Sequence, residues 1–468
     1  MHVTADLRWI ADRAFSRAAG APLVAGNDVD VLRDATENYP AWEHAIRHAR
    51  VSIHVEMYII HRDRTGRRLI ALLAERARAG VAVRVIYDWF GCGLGPYFGL
   101  FTPLIKAGGE VRVFNPPALD AIFGWLRRNH RKLIVVDGTS AFVGGLCVGD
   151  MWAGDPARHI PPWRDTGVAI RGPAVAHAEH AFAESWRIAG GDAIPAADPK
   201  ATALAAAGSV NLRLVATAPF TAHLLRVDLL IAGMARRTLW IADAYFIANG
   251  PYLDAVRAAA ADGVDVRLLV PQGSDVGGTV AITRSLYRTL LEAGVRIFEW
   301  NGPMMHAKTA VADSRWARVG STNLNITGWI GNWELDAVFE DDNVAKRLER
   351  DYLDDLDQST EIEFDRTRRR IVTMRSPQPR RGRTRRSTRR AVRTLTVVGR
   401  SLGAAIGGTR RLEEFEYPPL LVFGGVLIAV AIITAWQPRV LVWPVVVLAA
   451  WAGIALVIEA IGLWWRSR

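Results

Sequence analysis

The chain has 468 residues, 22% of them charged and 50% apolar, which is ordinary for a globular protein that carries some membrane-seeking sequence. Two cysteines, Cys92 and Cys147, exclude a disulfide framework and a cysteine zinc cluster. The net charge of +11 is local: residues 366–411 carry sixteen Arg, no Lys and no acid, which leaves −5 for the rest and argues against a general nucleic-acid-binding surface.

Residues 1–20 alternate charged and apolar side chains, unlike a secretory leader. Leu7, Ile10, Ala14 and Ala18 share one helical face, with Arg8, Arg13 and Arg17 around them. That pattern serves a membrane-surface helix and a helix packed on its own domain equally well. A helix is expected over 40–50, followed by the strand VSIHVEMYII (51–60). A second helix over 67–79 ends at Gly80, and VAVRVIYDWF follows as a strand. Strand EVRVF follows Gly108-Gly109, and a strand over 129–136 closes the series. Strands alternating with helices predict an α/β fold with parallel pairing and helices covering the sheet.

The same order then recurs. Residues 235–247 resemble the stretch that ends at Ile60, with Asp243 and Tyr245 standing where Glu56 and Tyr58 stood. Residues 262–270 mirror 79–87, and 293–300 mirror 107–114. Two copies of one α/β unit imply duplicated lobes related by a pseudo-two-fold axis. The expected organisation is an N-terminal helical segment (1–37), a first lobe (38–190), a linker (191–210) and a second lobe (211–365). An Arg-rich segment (366–417) and a two-helix transmembrane hairpin (418–465) complete it. Residues 418–436 and 440–458 each run 19 residues without a charge, close to the ~20 needed to cross a bilayer. Arginines before the first span and after the second place both ends in the cytoplasm by the positive-inside rule. The arginine run should also attract anionic headgroups, although nucleic acid is a competing use.

Each repeat ends in the same constellation. His130, Lys132 and Asp137 in HRKLIVVDGTSAFVGG have the spacing of His306, Lys308 and Asp313 in HAKTAVADSRWARVGSTN. On a strand, residues two apart share a face, so each Lys stands beside its His. The aspartates, seven residues on, should face away or lie in the following turn, and are read as structural holders. Two imidazoles and two ammonium groups in one pocket suit a phosphate. They also suit a two-step transfer, in which one imidazole attacks phosphorus and the other protonates the leaving alcohol. No metal or other cofactor is required, and the carboxylate clusters expected around magnesium or calcium are missing.

At these residues the sequence resembles the phospholipase D superfamily, whose signature is His-x-Lys-x4-Asp-x6-Gly-Gly/Ser. The order of features over about 38–340 is most similar to bacterial cardiolipin synthases: ARVSIHVEMYI at the entry, WRDTGVAIRGPAV after the first motif, and GSTN then NWELD after the second. The resemblance implies a phosphohistidine intermediate, with His130 as nucleophile and His306 as general acid/base. It implies that Lys132, Lys308 and Asn323 hold the phosphate, beside Ser321. It also implies that Asp165 and Glu334 orient the imidazoles, Glu334 being placed behind His306. Two departures stand out. Cys147 occupies the position of Asn323 in the first copy, and the membrane spans follow the catalytic lobes instead of preceding them.

The function expected is a membrane-anchored phosphatidyltransferase of the bacterial cytoplasmic membrane, multi-pass, with its lobes on the cytoplasmic side. It would join two phosphatidylglycerol molecules into cardiolipin and glycerol. A phospholipase D-type hydrolase, a membrane-tethered nuclease and a weakly catalytic lipid-binding scaffold are the alternatives. The anchor favours anionic membrane phospholipid over nucleic acid as partner. Trp89, Phe90, Tyr97, Phe98, Phe101, Phe123 and Trp125 form an aromatic cluster before the first motif, suited to core packing or to the membrane interface.

Overall fold

A computed structural model describes residues 12–93, 95–96, 98–116, 127–194, 204–365 and 370–373. The Arg-rich run beyond 373, both uncharged stretches and residues 1–11 lie outside the described residues. Among the described residues no helix is long and apolar enough to cross a membrane. The chain divides into two compact units, one formed by residues 1–116, 127–275 and 286–377, the other by 117–126, 276–285 and 378–468. Every residue of the candidate site lies in the first.

In chain order the strands are β1 (Val24–Arg33), β2 (Ser52–Met57), β3 (Ala82–Asp88), β4 (Glu110–Phe114), β5 (Lys132–Val136), β6 (Ser140–Gly144), β7 (Thr166–Arg171) and β8 (Val210–Thr217). They continue as β9 (Thr238–Ala242), β10 (Asp265–Pro271), β11 (Arg296–Trp300), β12 (Thr309–Ala312), β13 (Trp316–Gly320), β14 (Glu334–Glu340), β15 (Ser359–Asp365) and β16 (Arg370–Thr373). The helices are α1 (12–19), α2 (Asp34–His48), α3 (Arg64–Arg78), α4 (Trp89–Cys92), α5 (Thr102–Lys106), α6 (Asp150–Ala153), α7 (Val175–Ile188), α8 (His223–Met234), α9 (Gly250–Ala261), α10 (Thr279–Glu292) and α11 (Asp342–Leu356). Of the second unit, residues 276–285 are described, and they include the first turns of α10.

The strands form one sheet in the order β16-β15-β11-β10-β9-β12-β13-β14-β8-β1-β7-β6-β5-β2-β3-β4. Reading outward from the β8–β1 junction, the first seven strands on each side are equivalent in order, and β15 and β16 extend the second half alone. The expected parallel pairing holds for part of the sheet. Only β2-β3-β4 and β9-β10-β11 pair in parallel, and every other pair is antiparallel. The connections explain why. A parallel pair needs a crossover of a dozen or more residues, which α3 and α9 supply, whereas β5–β6 and β12–β13 are joined by three residues. Those short hairpins turn through two left-handed residues each, Asp137-Gly138 and Asp313-Ser314.

One face of the sheet is covered by α7 and α11. Phe182, Trp186, Leu348 and Tyr352 pack there on strand residues of both halves, including Val143, Ile170, Leu214 and Ala337. On the other face, α2 and α3 cover the first half through Trp42, Ile46 and Leu73. There α8 and α9 cover the second half, through Leu224, Val227 and Val256. Phe15, Ala18 and Ala19 of α1 are buried in that second-half cluster, so the described part of the N-terminal helix packs on its own domain.

Candidate active site

The first motif strand, expected from 129, starts three residues later. β5 begins at Lys132 and β12 at Thr309, so both histidines stand just ahead of their strands. Their backbones are tied across the molecule. The His130 N–H donates to the Trp333 carbonyl at 2.8 Å, and the His306 N–H to the Arg164 carbonyl at 2.7 Å. Each of these carbonyls belongs to the residue preceding an acid, Glu334 or Asp165.

The side chains therefore cross. Nδ1 of His130 meets Oε2 of Glu334 at 2.9 Å, and Nδ1 of His306 meets Oδ2 of Asp165 at 2.6 Å. Glu334 backs His130 and not His306, which corrects the expectation drawn from its place in the second repeat. Physically, Trp333 bridges Asn129, and Arg164 bridges Met305. Each acid is thus delivered to the histidine of the opposite half. An ionised carboxylate only accepts, so Nδ1 of each ring carries a proton and Nε2 keeps its lone pair.

Four charged or ionisable groups converge behind this surface. Lys132 and Lys308 are buried, and their Nζ atoms donate to the carbonyls of His130 (2.6 Å) and His306. Nζ of Lys132 lies 5.2 Å from the Tyr58 ring centre, and that of Lys308 lies 5.8 Å from Tyr245. The same tyrosines stand edge-on to the histidines, Tyr58 to His130 at 4.8 Å and Tyr245 to His306 at 6.0 Å. Burial pulls the His130 imidazole down to about 4, with Lys132 and Lys308 adding to the fall against Glu334. His306 is held well below its usual range by burial, by both lysines and by His130. Each imidazole thus feels both lysines, so the two motifs share one site. Burial lowers Lys308 to about 8 and lowers Lys132 as well.

The supporting acids differ. Burial raises Asp165 to about 6. Glu334 is equally buried, but its bond to His130, Lys132 and the Ser321 hydroxyl together hold it below the usual range. Ser321 Oγ donates to Glu334 at 2.5 Å and accepts the Leu335 N–H at 2.9 Å, while the Asn332 amide donates to the other carboxylate oxygen at 3.1 Å. In the first copy the position of Ser321 is Gly145. A β-carbon there would fall 2.2 Å from Asp165 Oδ1, so only glycine fits.

Asp137 and Asp313 lie in the hairpin turns, away from the imidazoles. The Asp137 carboxylate accepts the backbone N–H groups of Arg50, Val51 and Ser52 at 2.7–3.1 Å. Asp313 does the same for Arg236, Arg237 and Thr238 at 2.7–2.9 Å. Burial opposes ionisation of Asp313, but these bonds hold its carboxyl below the usual range. Asn323 is buried beside Ser321, and its amide oxygen has no partner. Cys147 is also buried, and burial pushes its thiol up, which leaves no thiolate.

Several contributing residues went unrecognised in the sequence. Arg131, fully buried, donates to the Glu334 carbonyl at 3.3 Å, and also to Ala181, Ser185 and Thr217. Arg164 donates to both carboxylate oxygens of Asp355 at 2.9 Å, to Thr166 Oγ1 at 2.9 Å and to the Asp165 carbonyl. Asp34, left-handed at φ 53°, holds both backbone groups of Asp165: its N–H donates to the Asp165 carbonyl (2.9 Å) and its carboxylate accepts the Asp165 N–H (2.8 Å). A lone Asp or Arg gives no pattern to find. Tyr58 and Tyr245 did leave a signal, their matched places in the repeat.

The family described as "Cardiolipin synthase, PLD-like domain" matches residues 43–149 and again 231–356. A cardiolipin synthase of Alkalihalophilus pseudofirmus is 33% identical over 73% of this chain and 69% of its own length. Cardiolipin synthase A of Pseudomonas fluorescens is 35% identical over 76% of this chain and 74% of its own. Among solved structures, the phosphatidylserine synthase of Haemophilus influenzae superposes with a TM-score of 0.58 at 14% identity, covering 75% of this chain and 91% of its own, a likeness of fold. The polyphosphate kinase of Porphyromonas gingivalis gives 0.51 at 11% identity, over 80% of this chain and 53% of its own. With two carboxylate-backed histidines, two buried lysines and these relatives, the chain belongs to the bacterial cardiolipin synthase family of the phospholipase D superfamily.

Proposed function

We propose that this protein makes cardiolipin from two molecules of phosphatidylglycerol, through a phosphohistidine. The observation that carries the reading is the crossed pair of imidazole–carboxylate contacts over two buried ammonium groups. In the first step Nε2 of His130 attacks phosphorus of one phosphatidylglycerol. The bond from phosphorus to the headgroup oxygen breaks, and glycerol leaves with a proton from His306. In the second step His306 takes the proton from a headgroup hydroxyl of the other phosphatidylglycerol. That oxygen displaces His130 from phosphorus, giving cardiolipin and the free enzyme.

The site's electrostatics support this order of events. Empty, both imidazoles are neutral, so His130 has its lone pair available. An anionic phosphodiester offsets the two lysines that depress His306, and Asp165 behind the ring favours its charged form. In this reading the ammonium groups of Lys132 and Lys308 and the side-chain NH2 of Asn323 donate to the phosphate oxygens. The two sides of the sheet act as duplicated lobes, related by a pseudo-two-fold axis. Residues 418–436 and 440–458 serve as the anchor in the bacterial cytoplasmic membrane, with the arginine run against anionic headgroups on the cytoplasmic side.

The test is purified full-length protein with phosphatidylglycerol vesicles, followed by lipid analysis. Cardiolipin plus glycerol is expected. Phosphatidic acid alone would make the protein a hydrolase, and no lipid turnover beside cleavage of DNA would overturn both. Trapping the labelled phosphoenzyme in His130→Ala and His306→Ala, with a p-nitrophenyl headgroup that leaves without a proton, assigns the steps: the adduct should vanish in the first variant and persist in the second.

A further inference from the structure

Two of the most exposed large apolar side chains, Phe220 (72%) and Phe90 (59%), stand beside the segment that leads into His130. Each ring has an arginine over it. The Arg127 guanidinium lies 4.8 Å from the Phe220 ring centre, and that of Arg128 lies 5.8 Å from Phe90. The four residues therefore form a strip, Phe90–Arg128–Arg127–Phe220, that ends two residues before the histidine.

The strip is built into the frame of the site. Asp88 pairs with Arg128 at 3.2 Å and accepts the Asn129 N–H at 2.9 Å, and Asn129 adjoins His130. Phe90 follows Asp88 by two residues and donates its N–H to the same carboxylate. Phe220 lies just beyond β8, whose last residue Thr217 pairs with Glu334, the acid behind His130. Its backbone is left-handed at φ 69°, costly for a bulky residue, and its N–H is fastened to the Ile330 carbonyl at 2.8 Å. An exposed aromatic ring in an unfavourable backbone conformation gains nothing for the core. Nε and Nη2 of Arg128 are buried without a hydrogen-bond partner.

We propose that this strip docks the mouth of the active site on an anionic bilayer, with the two phenylalanine rings entering the interface, the exposed Arg127 meeting a lipid phosphate and the largely buried Arg128 fixing the strip to Asp88. Phenylalanine rings bury into the boundary between headgroups and acyl chains, and a guanidinium stacked on a ring still presents its fork to a phosphate. The strip thus brings the bilayer surface to the side of the site where His130 stands. This rests on the reading of the enzyme as a phosphatidyltransferase, and it goes beyond an anchor in residues 418–458, which tethers the chain without orienting the site.

The test uses full-length protein and two forms of one substrate: long-chain phosphatidylglycerol in vesicles, and short-chain phosphatidylglycerol below its micellar concentration. The variants are Phe90→Ser with Phe220→Ser, and Arg127→Gln. Both should raise the interfacial KM about tenfold and leave turnover of the monomeric lipid within about twofold. A nitroxide on Phe220→Cys, in protein reconstituted into phosphatidylglycerol vesicles, should be more accessible to oxygen than to a nickel chelate. Equal losses on both substrates, no loss on either, or a fully aqueous label would overturn the proposal. So would protection of the label by single-stranded DNA in place of vesicles. Failure of the wild type to turn over either lipid would sink the phosphatidyltransferase reading instead, while the label still reports docking.

Discussion

Changing Asp165 to Asn replaces one oxygen of the acid behind His306 and leaves its shape. Oδ1 accepts the Thr166 N–H at 2.8 Å, and Oδ2 faces Nδ1 of His306 at 2.6 Å. An asparagine that keeps the first contact must aim its amino group at Nδ1. The ring then has to accept there and carry its proton on Nε2, the wrong tautomer. Turning the amide over instead leaves the Thr166 N–H against an amino group in a buried site, which costs about 1–3 kcal/mol. The comparable change in a serine-protease triad lowers kcat about 10⁴-fold. A loss of about 10³–10⁴-fold in cardiolipin formation is therefore expected, with KM for phosphatidylglycerol nearly unchanged. Stability should behave differently. Burial raises the Asp165 carboxyl from 3.8 to about 6, so between those values the folded protein holds a proton that the unfolded chain releases. Stability from this group falls as pH rises through that window, and above it the ionised acid costs on the order of 3 kcal/mol. Asn removes that cost, so the variant should melt no lower than wild type at pH 7. A substrate with a p-nitrophenyl headgroup needs no proton on departure and should recover most of the lost first-step rate. A loss under tenfold, or the same loss with both substrates, would refute the assignment of His306 and Asp165 to leaving-group protonation.

Lys308→Met should abolish activity and raise stability at pH 7 by on the order of 3 kcal/mol. The buried ammonium titrates near 8 in the folded protein against 10.5 in the unfolded chain, so wild-type stability rises with pH between those values. Denaturant melts at pH 7 and pH 10 should show a smaller rise in the variant than in wild type, because Lys132 is lowered in the same way. Asp313→Ala removes the acceptor of three backbone N–H groups and puts alanine in a left-handed turn. A loss of about 1–3 kcal/mol is expected, with kcat per folded molecule retained, as measured by calorimetry beside the lipid assay. Asp34→Gly keeps the left-handed backbone but removes the carboxylate that accepts the Asp165 N–H. It should lower kcat about tenfold or more and spare the p-nitrophenyl substrate, whereas Asp34→Asn, which retains an acceptor, should recover much of the loss.

The two histidine–lysine pairs and the turn position of the aspartates could be read from the repeated spacing, although both histidines and Lys308 stand ahead of their strands. The strand order outward from the centre was foreshadowed by the repeat. The antiparallel pairing of the motif strands was not, because helices following strands disclose a crossover only where one exists, and the motif hairpins turn back at once. The partner of Glu334 could not be read either. Its place 28 residues after His306 suggests a local pair, whereas the sheet carries β14 across to Asn129 and His130. Arg131 and Arg164 escaped notice for another reason. A buried arginine is recognisable only when the carbonyls it binds are known, and those come from segments up to 203 residues apart. Of the aromatic cluster, Phe101 is buried and packs on Tyr87, Phe90 and Phe98 are exposed, and Tyr97, Phe123 and Trp125 lie outside the described residues.

The crossed acids have a consequence for how the enzyme can be divided. Each half contributes a histidine and a lysine, but the acid that sets that histidine's tautomer is on loan from the other half. A half expressed alone would carry a correctly spaced motif and an untuned ring. Cutting the chain between α7 and β8 is a different matter, because the β1–β8 seam and the shared core under α7 and α11 join the halves without the connecting peptide. Activity thus reports whether the seam is closed. A small slip along it would silence both chemical steps together, long before either half unfolded.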